Sequence, residues 1–140
     1  MKKYFFLINS ILALYLVSLL IQGCSSNNSI INVTSDKAED LIKANIGNPH
    51  FIILDVRTPE EFNAEHFTNA VNIDFKSQDF PDNIDKLNKE ETYMVYCRGG
   101  VRSSKAAGLM KEKGFKSVYN LEGGLLKWHS ENRSLDIKNN

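Results

Sequence analysis

TYMVYCRGGVRSSKAAGLMKEKG, residues 92–114, changes its character halfway along. TYMVYC is an unbroken, largely apolar run of strand length, the pattern of a strand buried on both faces. VRSSKAAGLMKEKG then has helical composition and a closing glycine at Gly114. Only Arg98-Gly99-Gly100 stand between the two, so a buried strand turns almost directly into a helix. That is half of a βαβ unit and implies a mostly parallel sheet covered by helices.

The same alternation runs outward in both directions. Upstream, SIINV (29–33) is a short β-branched run, and SDKAEDLIKANIG (35–47) has apolar residues at helical spacing with a glycine stop. HFIILDV (50–56) is a second continuous apolar strand. Thr58-Pro59-Glu60-Glu61 follows, a capping box with proline in the first turn, which starts a helix. NAVNIDF (69–75) is a weaker strand, and SQDFPDNIDKLNKEE (77–91) is one helix or two short ones around Pro81. Downstream, FKSVYNLEG (115–123) and GLLKWHSEN (124–132) supply a last strand and helix. The expected fold is α/β: a central sheet of about five mostly parallel strands, flanked by helices on both faces. The domain is expected over residues 30–133, with a loose polar tail over 134–140.

The first 23 residues have a different character. Met1-Lys2-Lys3 is basic, and residues 4–21 are almost wholly apolar. A small-residue junction ends at Cys24, so the segment has the layout of an export signal. Ile21-Gln22-Gly23-Cys24 resembles the lipobox of bacterial lipoproteins, which implies cleavage before Cys24 and a lipid on its sulfur. SSNNS then serves as a polar tether over residues 24–29. An uncleaved membrane-spanning helix is the alternative. Either arrangement places the domain outside the cytoplasm, periplasmic or on an outer face, and held to a membrane. Removing residues 1–23 leaves 117 residues with 15 cations against 17 anions, net −2. A near-neutral domain with no basic face gives no reason to expect a nucleic-acid partner. With Cys24 lipidated, Cys97 is the only remaining thiol, so neither a disulfide framework nor a cysteine-rich metal site is available.

In open parallel sheets, ligands bind beyond the carboxyl ends of the strands, which is where residues 97–102 fall. A thiol is a weak nucleophile and a thiolate a strong one. A loop entering a helix aims several N–H groups at one point with the positive end of the dipole behind them. Gly99 and Gly100 permit the tight turn, Arg98 and Arg102 add fixed positive charge, and Ser103 and Ser104 carry hydroxyl donors. Such a cradle lowers the pKa of Cys97 and holds an anion against its sulfur.

CRGGVRS (97–103) resembles the active-site loop of the rhodanese family of sulfurtransferases. LDVRTPEEFNAEHFTNAVNI (54–73) is similar to that family's upstream signature, and VYNLEGGLLKW (118–128) to its closing segment. The three motifs run in family order, and the resemblance covers about residues 30–131. Glu65 and Asn69 stand where the family usually has glycine. The resemblance implies a two-step sulfur transfer through a Cys97 persulfide. The donor would be thiosulfate or a similar small sulfur anion, and the acceptor a thiol or cyanide. It implies no organic cofactor and no metal. Arg98, Gly99, Gly100, Val101, Arg102 and Ser103 would form the substrate-binding loop.

Around the loop, Asp55 and Arg57 lie at the end of a neighbouring strand, where an ion pair of Arg57 with Asp55 or Glu61 is the expected role. His66 is expected as a hydrogen-bonded structural histidine, because a stabilised thiolate needs no base. His50 and His129 read as surface residues, Arg98 as the more solvent-directed arginine, and Leu125, Leu126 and Trp128 as core packing. Three rival readings remain. Cysteine phosphatases and arsenate reductases place five residues between cysteine and arginine, whereas Cys97 and Arg102 enclose four. A non-catalytic rhodanese-like binding module would typically lack the cysteine. A thiol-redox protein would need an outside partner to resolve a disulfide.

Overall fold

The computed structural model describes residues 30–138. Five strands, β1 (Ile30–Val33), β2 (Phe51–Asp55), β3 (Val71–Asn72), β4 (Thr92–Tyr96) and β5 (Ser117–Leu121), form one sheet in the order β1-β5-β4-β2-β3. Every pairing is parallel. The helices are α1 (Ser35–Ala44), α2 (Pro59–Ala64), α3 (Phe80–Asp85), α4 (Val101–Glu112) and α5 (Gly124–Ser130). The expected architecture is therefore the observed one, with the two most apolar runs, β2 and β4, paired inside the sheet.

Strand alternation divides the core in two. On one face Tyr93, Val95 and Cys97 pack with Phe80 and Ile84 of α3 and with Ala106, Ala107 and Met110 of α4. On the other, Met94 and Tyr96 pack with Ala38 and Ile42 of α1, with Phe67, and with Leu125 and Trp128 of α5. The small alanines let α4 lie close against the strand that it follows.

Local chemistry explains the boundaries. Thr58 Oγ1 accepts from Glu61 N–H, and the Glu61 carboxylate accepts from Thr58 N–H, so the capping box read in the sequence is formed. The stretch around Pro81 makes a single short helix with proline in its first turn. NAVNIDF shrinks to the two-residue edge strand β3, because only Val71 and Asn72 pair with β2. Asn69, in place of the usual glycine, adopts φ +63°. Asparagine is among the few residues that tolerate this left-handed conformation, so the turn into β3 keeps its shape without glycine.

Residues 134–138, expected to be loose, are tied to the domain. Leu135 and Ile137 pack against the second core face, Thr68 N–H donates to the Leu135 carbonyl, and Trp128 Nε1–H donates to Ser134 O. Their apolar side chains alternate with polar ones, a spacing short enough to pass for a polar tail.

Trp128 joins α5 to this last segment. It is fully buried, edge-on to Phe67 with ring centroids 4.9 Å apart, and capped by the Arg133 guanidinium. Trp128→Ala is expected to lower the unfolding free energy by about 3–5 kcal/mol, read as a lower urea midpoint at unchanged m-value.

Candidate active site

Cys97, the loop 98–100 and the start of α4 lie at the carboxyl end of the sheet, beside the segments that follow β2 and β5. Cys97 is 1% exposed, so the thiol sits at the floor of the site and only the loop above it meets solvent. Gly100 N–H donates to Cys97 Sγ at 3.1 Å, and the N–H groups of Gly99 and Ser103 also face the sulfur. Burial pushes the Cys97 thiol up. The Ser103 hydroxyl and the N–H groups of Ser103, Gly99 and Gly100 outweigh that, and the net result is a pKa below the ordinary thiol value. Ser103 Oγ donates to Gly100 O at 3.1 Å and lies within reach of the sulfur, so one rotating proton serves either acceptor.

The loop is held from below by the closing segment. Leu125 N–H donates to Cys97 O at 3.0 Å and Leu126 N–H to Arg98 O at 2.9 Å. Gly100 caps α4 at φ +88°, and a Cβ there would meet Gly123 N at 3.0 Å. Gly124 lies at φ +55°, where a Cβ would stand 2.3 Å from Cys97 O. Gly124 is thus required by the close approach of two backbones, and Gly123 by its left-handed φ of +72°. Gly124 was legible only as part of a closing motif; its contact with a residue 27 positions upstream has no local signal.

The charged groups divide into two ion pairs. Arg57 donates Nε and Nη2 to the Asp55 carboxylate at 2.7–3.0 Å, and Nη2 also reaches Glu65 O at 2.5 Å, bracing the end of α2. Both side chains are buried, and the guanidinium also stacks on Tyr96. Glu61 does not join them. Its carboxylate takes Arg102 in a bidentate pair at 2.6 and 2.8 Å, which pulls the Glu61 carboxyl down to about 2. Arg102 is therefore oriented by Glu61 and partly neutralised, whereas Arg98 is exposed and has no carboxylate partner among the described residues.

His66 donates Nδ1–H to Phe62 O at 2.8 Å and stacks on the Phe62 ring. His129 differs from its reading as a plain surface residue. Its Nε2 meets Glu65 Oε1 at 3.0 Å, and both residues wall a cleft beside the loop. The cleft has a volume of about 640 Å³, with Arg57, Glu61, Arg98, Arg102 and Leu126 in its wall. Leu126, expected in the core, is 55% exposed there, because α5 turns that position toward the loop. Gly99, Gly100 and Val101 border a second hollow on the opposite side of the loop. An apolar hollow at the amino end of the sheet, between the loop before β2 and residues Leu135 and Ile137, has no titratable side chain in its wall. Among the described residues no three His, Cys, Asp or Glu side chains converge as metal ligands. Cys24 lies outside the described residues.

Two measurements probe this geometry. Alkylation of Cys97 by iodoacetamide should show a rate–pH midpoint below the roughly 8.5 of a free thiol, and Ser103→Ala should move that midpoint upward. An unmoved midpoint would remove the hydroxyl from the thiolate's environment. Gly124→Ala should cost at least about 2 kcal/mol, from left-handed strain and a disturbed pair of loop hydrogen bonds, read by urea unfolding.

Comparison with known proteins bears on the whole arrangement. A rhodanese-like domain protein from Staphylococcus aureus superposes with TM-score 0.60 at 32% identity, covering 71% of this chain and 91% of that one. The rhodanese-like domain of an Anabaena protein gives TM-score 0.61 at 27% identity, covering 75% and 77%. The tRNA uridine(34) hydroxylase of Pelagibacter ubique is 38% identical over 84 residues, 59% of this chain and 28% of that protein. The chain thus spans less than a third of the length of this relative. The family model for the rhodanese-like domain matches residues 38–131, from α1 to just past α5. On that match, and on the sheet order and thiol loop that accompany it, the chain belongs to the rhodanese-like domain family.

Proposed function

We propose that this domain is a sulfurtransferase that carries a sulfane sulfur on Cys97. The observation that carries the reading is the thiol's environment: Gly100 N–H lies 3.1 Å from Cys97 Sγ, with the N–H groups of Gly99 and Ser103 converging on the same atom. Such a nest stabilises a thiolate and equally the terminal anion of a persulfide. In the first step the Cys97 thiolate attacks the outer sulfur of thiosulfate or a similar donor. The donor's S–S bond breaks, sulfite leaves with the electron pair, and Cys97–S–S⁻ remains. In the second step a thiolate or cyanide attacks the outer sulfur, and Cys97 departs as the thiolate. The N–H groups of the loop hold the donor's negative charge, while Arg102, fixed by Glu61, sets the field at the mouth of the loop.

The four-residue interval between Cys97 and Arg102 supports sulfur over phosphate, because it makes a smaller ring than the five-residue phosphatase loop. A buried sulfur with this many donors also argues against a pure binding module, which has no need of a stabilised anion. The name of the hydroxylase relative belongs to a protein more than three times as long as the shared segment, and hydroxylation is not assigned to this chain.

The reading extends to location. Cys24 carries a lipid after cleavage of residues 1–23, and the domain acts outside the cytoplasm, tethered to a membrane by residues 24–29. Incorporation of labelled palmitate that is lost in Cys24→Ser tests the anchor.

The activity itself is tested by intact mass of the full chain in mild detergent after thiosulfate treatment. One added sulfur atom, removed by cyanide and absent from Cys97→Ser, is the expected result. No added sulfur with a low-pKa, alkylatable Cys97 would overturn thiosulfate as donor. An unreactive thiol would overturn the enzyme.

A further inference from the structure

The cleft is larger and more asymmetric than a five-atom inorganic donor requires. Its volume of about 640 Å³ falls in the range that holds organic ligands. Four cations stand in its wall, Arg57, Lys76, Arg98 and Arg102, and they are not equivalent. Arg57 is neutralised by Asp55 and Arg102 by Glu61. The Lys76 ammonium and the Arg98 guanidinium pair with no carboxylate among the described residues, Lys76 meeting Asp74 Oδ1 only through its backbone N–H at 2.8 Å, and neither side chain belongs to the ring of N–H groups around the sulfur. Between the charged groups the wall is aliphatic, formed by Ala64, Leu125 and Leu126. The Glu65–His129 pair completes the rim.

Resting on the sulfurtransferase reading above, we propose that Lys76 and Arg98 form a second anion subsite, one that selects a low-molecular-weight thiol bearing a carboxylate as the acceptor of the Cys97 sulfur. The cradle of backbone N–H groups binds the charge on the sulfur, so it leaves these two cations for a charge elsewhere on the same ligand. The aliphatic wall receives the short carbon body that joins thiol to carboxylate. Inorganic donors fill the cradle alone, which makes the subsite a feature of the second step. In that step the acceptor's thiol proton has gone to solvent and its thiolate attacks the outer sulfur. The persulfide S–S bond breaks, Cys97 leaves as the thiolate, and the acceptor departs as an organic persulfide. No oxidant or reductant is needed.

The test separates loading from discharge. The full chain in detergent is loaded with thiosulfate, the added sulfur is verified by mass, and the donor is removed. Single-turnover discharge is then followed with glutathione and with its diethyl ester at equal thiolate concentration. Glutathione is expected to discharge Cys97 about tenfold faster at low salt, the scale of two partly exposed ion pairs. The advantage should shrink to about threefold or less in Lys76→Gln and in Arg98→Gln, and should fall with ionic strength. Equal rates for acid and ester, or an advantage untouched by either substitution, would overturn the subsite. A chain that does not load would overturn thiosulfate as donor, and one whose thiol is also unreactive would overturn the sulfurtransferase reading, neither of which bears on the subsite. Protection against alkylation then still decides on the subsite: S-methylglutathione should slow modification of Cys97 in the unsubstituted chain more than in Lys76→Gln, and no difference would overturn it.

Discussion

The site depends on two backbone hydrogen bonds, from Leu125 N–H to Cys97 O and from Leu126 N–H to Arg98 O. In a planar trans peptide the C=O of one residue and the N–H of the next point in opposite directions. Drawing the Cys97 and Arg98 carbonyls toward α5 therefore turns the N–H groups of Arg98 and Gly99 away from it. The chain then rises through Gly100 at φ +88° into α4, and the Gly100 N–H falls on the sulfur. The tie thus contributes the Gly99 and Gly100 N–H groups that, after the Ser103 hydroxyl and N–H, draw the thiol pKa down. Gly124 makes the tie possible, since any side chain there would occupy the space of the Cys97 carbonyl oxygen.

Electrostatics adds a second layer of positioning. Glu61 accepts from Thr58 N–H to start α2 and takes both guanidinium branches of Arg102 at the start of α4. One carboxylate thereby links a helix start on one side of the cleft to the thiol loop on the other. With its pKa near 2 it stays ionised far below neutral pH, and the link holds throughout that range. Asp55 and Arg57 do the corresponding work beneath. Their burial is tolerated because Arg57 Nε and Nη2 and both Asp55 carboxylate oxygens are hydrogen-bonded, to each other and to the Glu65 carbonyl. Removing either alone would leave a buried charge unmatched.

Much of this was legible in residues close together in sequence. The apolar runs of β2 and β4, the capping box at Thr58 and the strand-to-helix passage at Cys97 are local patterns, and local physics produces them. The partner of Glu61 was not legible. Arg57 and Arg102 are both arginines near a strand end, and only the placement of α2 across the cleft from the start of α4 decides which one the carboxylate meets. His129 escaped for a similar reason. It stands on the exposed side of a short helix, and its place in the cleft follows from Glu65 arriving from 64 residues upstream. Leu135 and Ile137 were masked by the polar residues between them, a spacing that makes sense only once Thr68 and Trp128 are seen to receive the chain.

The depth of Cys97 sets the last constraint. At 1% exposure the sulfur cannot be reached by a large body, so a reagent must enter through the cleft or past the glycines of the loop. Under the proposed reading, a persulfide would add one sulfur atom to the side chain and bring the reactive atom closer to the mouth. Under that reading, loading would suit a compact anion that can descend into the cradle, while discharge would take place nearer the rim, where Arg98, Leu126 and Lys76 line the cleft. Cys97 is the sole cysteine among the described residues, so no neighbouring thiol can intercept the sulfur. A sulfur carried as proposed would leave to a molecule that the cleft admits, and the shape and charge of the cleft, more than the loop, would determine which molecule that is.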